Sequence, residues 1–218
     1  MQSLEKGLAV LRCFDAASPE LSLTEIVDRT GLSKGTAFRI LSALCATGLL
    51  ERDASTRRYR VGLPALNLSA AFLRALKLPS LALPYLERLA QDCMEAASLG
   101  ILDGHEVVYV ARAATKRWMS VNLQVGSRLP AYCTSMGRVL LAYRPWEEVK
   151  AILSGVPLVA HTPKTVTDLE RLRQVLEEVR AKGYAINDEE LEIGLRSAAA
   201  PVIDAAGRVV AAVNISTP

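Results

Sequence analysis

Residues 21–50, LSLTEIVDRTGLSKGTAFRILSALCATGLL, determine how the first part of the chain folds. The segment predicts two short helices, because Ser22 and Ser33 are good N-caps and Gly31 can adopt the left-handed backbone that ends the first helix. Glu25, three positions after Ser22, completes a capping box with the N–H group of that serine. The pattern is typical of a helix-turn-helix.

The second of these helices has two chemically different faces. Its apolar stripe has helical spacing and consists of Ala37, Ile40, Leu41 and Leu44. The first turns carry small polar and basic side chains away from that stripe. In a helix-turn-helix protein these turns enter the major groove and contact base edges. We therefore expect four residues to line the groove: Ser33, Lys34, Thr36 and Arg39.

A basic hairpin is predicted immediately after the second helix, with strands over residues 49–52 and 57–61. Tyr59 and Val61 would point inward by the alternation of a strand, and the arginines beside them would point outward. Between residues 33 and 60 six basic side chains stand against two acidic ones, a net charge of +4 against +3 for the whole chain. Three of the basic residues are expected to contact phosphates independently of base sequence: Arg57, Arg58 and Arg60.

The two helices alone would also fit many all-helical domains. The basic hairpin is the feature that favours DNA binding, since it concentrates positive charge where phosphates would lie. An amphipathic helix predicted over residues 3–16 would pack behind the helix pair. The sequence therefore predicts a winged helix-turn-helix domain over residues 1–62.

Composition limits the remaining possibilities. The chain has 218 residues, half of them apolar, and its small net charge means that any contact with nucleic acid must be local. Four well-separated cysteines without a CxxC pair indicate buried free thiols in a reducing compartment: Cys13, Cys45, Cys93 and Cys133. The N-terminus has no signal-peptide pattern, and no apolar run reaches the ~18 residues of a membrane span. We expect a cytoplasmic protein without membrane contact.

Residues 63–78 are predicted to form a helix that links two domains. Pro64 suits a first helical position, and the segment ALNLSAAFLRALK that follows is apolar around most of its circumference. A helix of this kind is usually buried on more than one side, so a second subunit would cover it. We expect a linker and dimerisation helix; an ordinary core helix is the alternative.

Residues 79–218 are predicted to form a second domain, in which strands and helices mix without a repeating β–α–β order. Asp103-Gly104 marks a hairpin between two of the strands. The predicted helices cover residues 85–90, 134–143 and 167–182, and the predicted strands cover residues 97–102, 106–112, 118–123, 184–188, 196–204 and 209–216. This order predicts an α+β domain built on an antiparallel sheet.

Three segments of this domain carry a specific resemblance: GSRLPAYCTSMGRVLLA at residues 126–142, KGYAINDEELEIGLRSAAAPV at 182–202 and GRVVAAVNIS at 207–216. Together with the helix-turn-helix and the linker helix, they resemble the IclR family of bacterial transcriptional regulators over essentially the whole chain. Residues 112–142 are most similar to the regulators of aromatic-acid catabolism, the protocatechuate and β-ketoadipate group.

The resemblance implies a function and an assembly. It implies a homodimer or a dimer of dimers that binds palindromic operator DNA. Its C-terminal domain would be GAF-like and would bind a small organic acid as effector, and the narrower resemblance implies an aromatic one. The resemblance also implies a further helix after the strand VVAAVNIS, and the chain ends at Pro218.

The effector site is expected where polar groups meet the apolar interior of the second domain. The helix predicted at residues 134–143 begins with N–H groups that attract a carboxylate, although a well-capped helix would look the same. The residues at that point are Ser135, Met136 and Gly137. Three polar side chains alternate along the strands predicted at residues 196–204 and 209–216 and would point into one cavity. They are Ser197, Asn214 and Ser216. The resemblance implies further pocket residues: Met119, Leu123, Leu129 and Asp188.

No pattern in the sequence indicates catalysis or a cofactor. The two histidines, His105 and His161, have no ligand-like spacing to other residues, so we expect no metal site. The sequence contains no phosphate-binding glycine loop and no hydrolase motif, so we expect no enzyme. Two other functions stay open: a DNA-binding regulator without a small-molecule effector, and a redox sensor. The sensor would require an exposed and reactive Cys133.

Overall fold

The computed structural model describes residues 2–15, 17–114 and 123–217, and the chain divides into two compact units. The first unit spans Met1–Ala75 and the second spans Leu76–Pro218. Each unit has a hydrophobic core of its own. Among the described residues, no helix is long and apolar enough to cross a membrane.

The first unit combines helices with a small sheet. The helices are α1 (Gln2–Leu11), α2 (Leu23–Thr30), α3 (Lys34–Ala46) and α4 (Pro64–Leu76), whose last residue belongs to the second unit. The strands are β1 (Glu20–Leu21), β2 (Leu50–Arg52) and β3 (Tyr59–Val61), which pair antiparallel in the order β1-β3-β2. The predicted winged helix-turn-helix is therefore confirmed.

Local sequence signals set the ends of α2 and the start of α3. The Ser22 hydroxyl accepts a hydrogen bond from the Glu25 N–H at 3.3 Å, and the Glu25 carboxylate accepts from the Ser22 N–H at 2.7 Å. The predicted capping box is therefore confirmed. Gly31 ends α2 with a φ of 66°, a conformation that glycine adopts without steric penalty. The Ser33 hydroxyl caps α3 by accepting from the Thr36 N–H at 3.4 Å.

Two details of the first unit differ from the prediction. Helix α1 ends at Leu11 instead of residue 16, and the Arg29 guanidinium donates to the Cys13 carbonyl just beyond it at 2.8 Å. Val61, predicted to point inward, is 45% exposed. Strand β1 has only two residues and stops opposite Arg60, so it does not extend alongside Val61.

The second unit is built on a six-stranded sheet. Its helices are α5 (Leu78–Cys93), α6 (Ser135–Ala142), α7 (Trp146–Leu153) and α8 (Leu169–Lys182). Its strands are β4 (Ala96–Asp103), β5 (Glu106–Ala113), β6 (Arg128–Pro130), β7 (Ala185–Asp188), β8 (Arg196–Ile203) and β9 (Val209–Thr217). Neighbouring strands pair antiparallel in the order β6-β5-β4-β9-β8-β7, which confirms the predicted α+β class. Residues 118–122 of the strand predicted at 118–123 lie outside the described residues.

Helix α6 is the centre of the second core. All of its residues are buried, and it packs against β8, β9 and α8. Gly137 allows α6 to lie close to the segment that precedes it, because a Cβ atom at that position would lie 2.1 Å from the Ala131 carbonyl oxygen. We define the inner face of the sheet as the face that packs on α6.

Candidate DNA-binding surface and effector site

The first turns of α3 carry the residues that were predicted to line a DNA groove. Lys34 and Arg39 are exposed, and neither forms an ion pair within the described part of the chain. The hydroxyls of Ser33 and Thr36 bond to each other at 2.9 Å, and Ser33 also caps the helix. Lys34 and Arg39 thus have side chains free for a ligand, whereas Ser33 and Thr36 stabilise the start of α3.

Phe38 is a further candidate on this surface, in addition to the four residues predicted from the sequence. It lies in the second turn of α3, and 48% of its surface is exposed. A phenylalanine beside Arg39 in a recognition helix can contact the methyl group of thymine in the major groove. The sequence does contain a signal, since Phe38 is an apolar residue that falls off the stripe formed by Ala37, Ile40 and Leu41.

Two of the three hairpin arginines that were predicted to contact phosphates are paired with carboxylates. The Arg58 Nη2 donates to the two carboxylate oxygens of Glu25 at 2.8 and 2.9 Å, and to the Glu20 carbonyl at 3.1 Å. Arg60 donates to Glu51 Oε2 from Nε at 3.0 Å and from Nη2 at 2.9 Å. These pairs argue against the phosphate contacts predicted for Arg58 and Arg60, because both guanidinium groups already have anionic partners within the protein.

Arg57 is the member of this predicted set that has no carboxylate partner among the described residues. It forms no ion pair with any described residue, and it sits near the tip of the hairpin with a φ of 59°. The Asp53 carboxylate holds the tip together by accepting from the hydroxyl and N–H groups of Ser55 and Thr56. These hydrogen bonds keep the pKa of Asp53 well below its usual range. Arg57 is thus presented by a short and well-defined turn.

Polar side chains from four strands meet on the inner face of the second sheet. Arg112 of β5 lies opposite Ser98 of β4, and Ser98 lies opposite Asn214 of β9. Two residues further along β9, Ser216 lies opposite Ser197 of β8. The predicted grouping of Ser197, Asn214 and Ser216 therefore occurs. Arg112 and Ser98 extend it, and we call these five residues the polar row.

The start of α6 adjoins the polar row. The hydroxyls of Ser135 and Ser197 are hydrogen-bonded at 2.8 Å. The Thr134 hydroxyl caps the helix by accepting from the Gly137 N–H at 3.3 Å. The positive end of the helix dipole and the Ser135 hydroxyl are therefore next to the polar row, an arrangement that favours a carboxylate.

Asn214 has an unsatisfied hydrogen-bond acceptor. The residue is 4% exposed, and its Nδ2 donates to Ser216 Oγ at 3.0 Å. Its Oδ1 is buried and finds no hydrogen-bond partner in residues 2–15, 17–114 or 123–217. Leaving a buried acceptor unpaired costs about 1–3 kcal/mol. A ligand that donates a hydrogen bond at this point would remove that cost.

Burial alters the acidity of the groups near Asn214. Burial raises the pKa of Tyr109 to about 12, although the charge of Arg112 and a hydrogen bond with Asn214 oppose the rise. Burial also lowers the pKa of Arg112, whose Nη1 donates to Ser98 Oγ at 3.1 Å. The site thus combines a guanidinium cation with a neutral phenol. Sequence analysis missed Tyr109, Arg112 and Ser98, although each is a polar group within an otherwise apolar strand.

Asp188 does not take part in this arrangement. The alternation of β7 buries Asn187 on the inner face and leaves Asp188 exposed on the other face. Asp188 pairs there with Lys164 Nζ at 2.7 Å and Arg196 Nε at 2.6 Å, and these partners hold its pKa below the usual range. The structure therefore contradicts the predicted pocket role of Asp188. Asn187 is inward instead, and donates to the Cys133 carbonyl at 2.7 Å.

The apolar residues predicted for the pocket have different outcomes. Leu123 and Leu129 are partly buried and pack against the core of the second unit. Met136 is 1% exposed, and its Sδ lies close to Gly100, where a Cβ atom would be only 3.0 Å away. Met119 lies outside the described residues.

Cys133 does not meet the requirements of a redox sensor. Its side chain is fully buried, and burial raises the pKa of its thiol to about 11. A thiol in such surroundings stays protonated and reacts slowly. Metal binding has no support in the described residues either, where no group of three or more His, Cys, Asp or Glu side chains could hold an ion.

A buried ion pair fixes α6 from another direction. Arg138 is 3% exposed and Glu190 is 8% exposed, and the guanidinium donates to both carboxylate oxygens. Glu190 also accepts from the Val166 N–H at 3.2 Å, and Arg138 Nε donates to the Tyr132 carbonyl at 3.2 Å. Sequence analysis missed this pair, because Glu190 belongs to an acid-rich loop that resembles a solvated one.

Comparison with known proteins identifies the family. The IclR helix-turn-helix domain matches residues 3–54, and the C-terminal domain of bacterial transcriptional regulators of the IclR type matches residues 70–218. The chain is 41% identical to the Pca regulon regulatory protein of Pseudomonas putida, over 100% of this chain and 74% of that protein. The matched family and this relative are regulators of transcription and not enzymes.

Two solved structures are similar and contain hydroxybenzoates. An IclR homolog from Microbacterium hydrocarbonoxydans, complexed with 4-hydroxybenzoate, has 31% identity and a TM-score of 0.84 over 99% of this chain and 89% of that one. A double mutant of the PobR inducer-binding domain from Acinetobacter, complexed with 3-hydroxybenzoic acid, has 35% identity and a TM-score of 0.61 over 64% of this chain and 82% of that one. From these matches along its whole length, the chain belongs to the IclR family of DNA-binding bacterial transcriptional regulators.

Proposed function

We propose that this regulator binds a palindromic operator in the cytoplasm and that a small hydroxylated aromatic acid controls the binding. The genes it regulates would then serve the breakdown of such acids. Support comes from the Pca regulon relative and from the two hydroxybenzoate complexes of similar proteins. The polar row and the start of α6 are the proposed effector site.

The observation that carries this proposal is the buried Oδ1 of Asn214, which has no hydrogen-bond partner among the described residues. A carboxylate cannot satisfy this acceptor, because an ionised carboxylate only accepts hydrogen bonds. A phenolic hydroxyl can donate to it. The carboxylate of the same ligand would then be bound by Arg112 or by the Ser135–Ser197 pair at the start of α6. The effector would therefore be an acid that also carries a hydroxyl group.

A regulator without an effector is the main alternative. Such a protein gains nothing from an unpaired polar atom in its interior, and apolar side chains would fill the space at lower cost. The second unit instead places five polar side chains on one inner face. This arrangement favours an effector-binding domain.

For the first unit, we propose that α3 reads the operator and the hairpin contacts its backbone. Lys34, Phe38 and Arg39 would contact base edges or line the major groove, together with the groove-lining hydroxyls of Ser33 and Thr36. Arg57 would contact a phosphate. Arg39→Ala should therefore weaken binding to the operator more than binding to random duplex, whereas Arg57→Ala should weaken both alike.

A dimer would supply two such reading units. We propose the division into a DNA-binding domain at residues 1–62, a linker and dimerisation helix at 63–78 and an effector domain at 79–218. Helix α4 has no buried residue in the single chain, and it exposes large apolar side chains: Leu66, Leu68 and Phe72. A second copy covering this helix would remove them from water.

A thermal-shift screen tests the effector. The panel would contain benzoate, 3- and 4-hydroxybenzoate, protocatechuate and an aliphatic dicarboxylate such as succinate. A ligand at 100 times its dissociation constant stabilises the folded protein by about 2.7 kcal/mol, which is readily detected. At equal concentration, we expect a larger shift with a hydroxylated benzoate than with benzoate. A shift with succinate alone would reject the aromatic class, and no shift at all would favour a regulator without an effector.

A further inference from the structure

Arg58 connects the hairpin to the helix-turn-helix through one carboxylate. The residue lies directly before β3, and its guanidinium reaches Glu25 in the first turn of α2, 33 positions earlier in the chain. The same guanidinium donates to the Glu20 carbonyl in β1. One side chain therefore contacts both the strand that precedes α2 and the helix itself.

Glu25 has two functions in this contact. Its Oε2 accepts from the Ser22 N–H and so completes the capping box that starts α2. Both of its carboxylate oxygens also accept from Arg58. The group that fixes the start of α2 is therefore the group that holds the hairpin, and α2 in turn packs against the recognition helix α3.

We propose that Arg58 is a positioning residue for operator binding: through Glu25 it holds the hairpin in register with the helix-turn-helix, and it does not itself contact a phosphate. Arg57, its neighbour, then points from a fixed hairpin toward the DNA. Arg57 and Arg58, which were both predicted from the sequence to contact phosphates, thus have different roles. It concerns DNA binding alone and does not depend on the identity of the effector.

The variant Glu25→Gln distinguishes this role from a direct phosphate contact by the sign of its effect. Glutamine can still serve in a capping box, so the start of α2 is kept while the charge that holds Arg58 is lost. If Arg58 positions the hairpin, operator affinity falls by about two- to fivefold, the range of an exposed ion pair. If Arg58 contacts a phosphate, loss of the competing carboxylate frees it, and affinity rises or stays constant.

The salt dependence of Arg58→Gln provides an independent measurement. Each phosphate contact contributes about 0.9 to the slope of log K against log salt concentration. We expect Arg58→Gln to lower affinity without changing this slope, and Arg57→Gln to lower the slope by about 0.9 per contact. Because positioning acts through one pair, the double variant Glu25→Gln with Arg58→Gln should bind no more weakly than either single variant.

The experiment uses a duplex selected from a random library by the wild-type protein, with binding followed by fluorescence anisotropy. Glu51→Gln is the matched control, because it removes the carboxylate partner of Arg60 within the hairpin and leaves the contact with α2 intact. It should not lower affinity. A slope reduced in Arg58→Gln, or affinity unchanged or raised in Glu25→Gln, would overturn the proposal. If Glu25→Gln does not fold, the slope of Arg58→Gln decides, since that variant keeps the capping box.

Discussion

Asn214 is the residue at which the proposed effector site can be tested most directly. Asn214→Leu replaces the side chain with an apolar one of similar size and removes the unpaired acceptor. We expect the ligand-free protein to unfold at a similar or higher temperature, because the polar group no longer has to be buried unpaired. Affinity for a hydroxybenzoate should fall about three- to tenfold, the value of one hydrogen bond, and calorimetric titration would measure it.

The comparison ligand for this variant is benzoate, which lacks the hydroxyl. Its affinity should change little, so the preference for hydroxylated acids is lost. The wild-type protein, titrated with the same two ligands, is the control. Equal losses for benzoate and hydroxybenzoate in Asn214→Leu would show that Oδ1 does not read the hydroxyl.

Phe38 offers a second test at the level of one residue, on the DNA-binding surface. Since it is about half exposed, Phe38→Ala should change the free energy of unfolding by less than about 0.5 kcal/mol. Loss of a contact with a thymine methyl group should weaken operator binding by about 1 kcal/mol and leave binding to a random duplex unchanged. Anisotropy titrations with both duplexes would measure this. A parallel loss on both would assign Phe38 to general affinity instead.

At the scale of an element, the start of α2 should respond to acid. Hydrogen bonds from the Ser22 hydroxyl and N–H group, and then from Arg58, lower the pKa of Glu25 from 4.5 to about 2. A carboxyl group with a folded-state pKa below its unfolded one stabilises the protein above about pH 4.5, and this stabilisation is lost as the pH falls toward 2. The stability difference between wild type and Glu25→Gln should therefore shrink from pH 6 to pH 2.5, as measured by urea unfolding. A constant difference would contradict the assignment.

Helix α6 depends on the buried pair of Arg138 and Glu190. Glu190→Gln leaves the Arg138 cation buried without its anionic partner, and we expect a loss of about 3–5 kcal/mol in the free energy of unfolding. Urea unfolding followed by tryptophan fluorescence would measure it. Both tryptophans, Trp118 and Trp146, come after residue 76 in the sequence, where the second unit begins, so the signal reports on that unit. The exposed Glu192 provides the control, because Glu192→Gln should cost less than about 0.5 kcal/mol. Similar costs for both variants would contradict a structural role of the pair.

At the scale of the whole molecule, the exposed apolar side chains of α4 predict self-association. Leu66 and Phe72 are 63% and 51% exposed in the single chain. Placing a charge in a covered interface is unfavourable, so Leu66→Glu with Phe72→Glu should shift the protein toward a monomer and weaken binding to a palindromic duplex. Sedimentation equilibrium would measure the mass. Leu4→Glu, on an equally exposed leucine of α1, should leave the mass unchanged.

The sequence by itself determined the elements of this protein and the family to which it belongs. The caps of α2 and α3, the turn at Gly31 and the apolar stripe of α3 all follow from signals a few residues apart. The antiparallel α+β class follows in the same way from the order and spacing of strands. The resemblance supplied the DNA-binding function, and the alternation of β8 and β9 correctly grouped Ser197 with Asn214.

Only the tertiary structure decided which polar and charged groups are partners. Arg58 pairs with a carboxylate 33 positions away, and Arg138 pairs with a carboxylate 52 positions away. The sequence around either arginine does not indicate which carboxylate is its partner. The register of three strands joins Arg112 and Ser98 to Asn214, while a one-residue alternation turns Asp188 outward. Helices and turns are encoded by neighbours along the chain. Pairing of charges and strand register depend on which distant segments the folded core brings together.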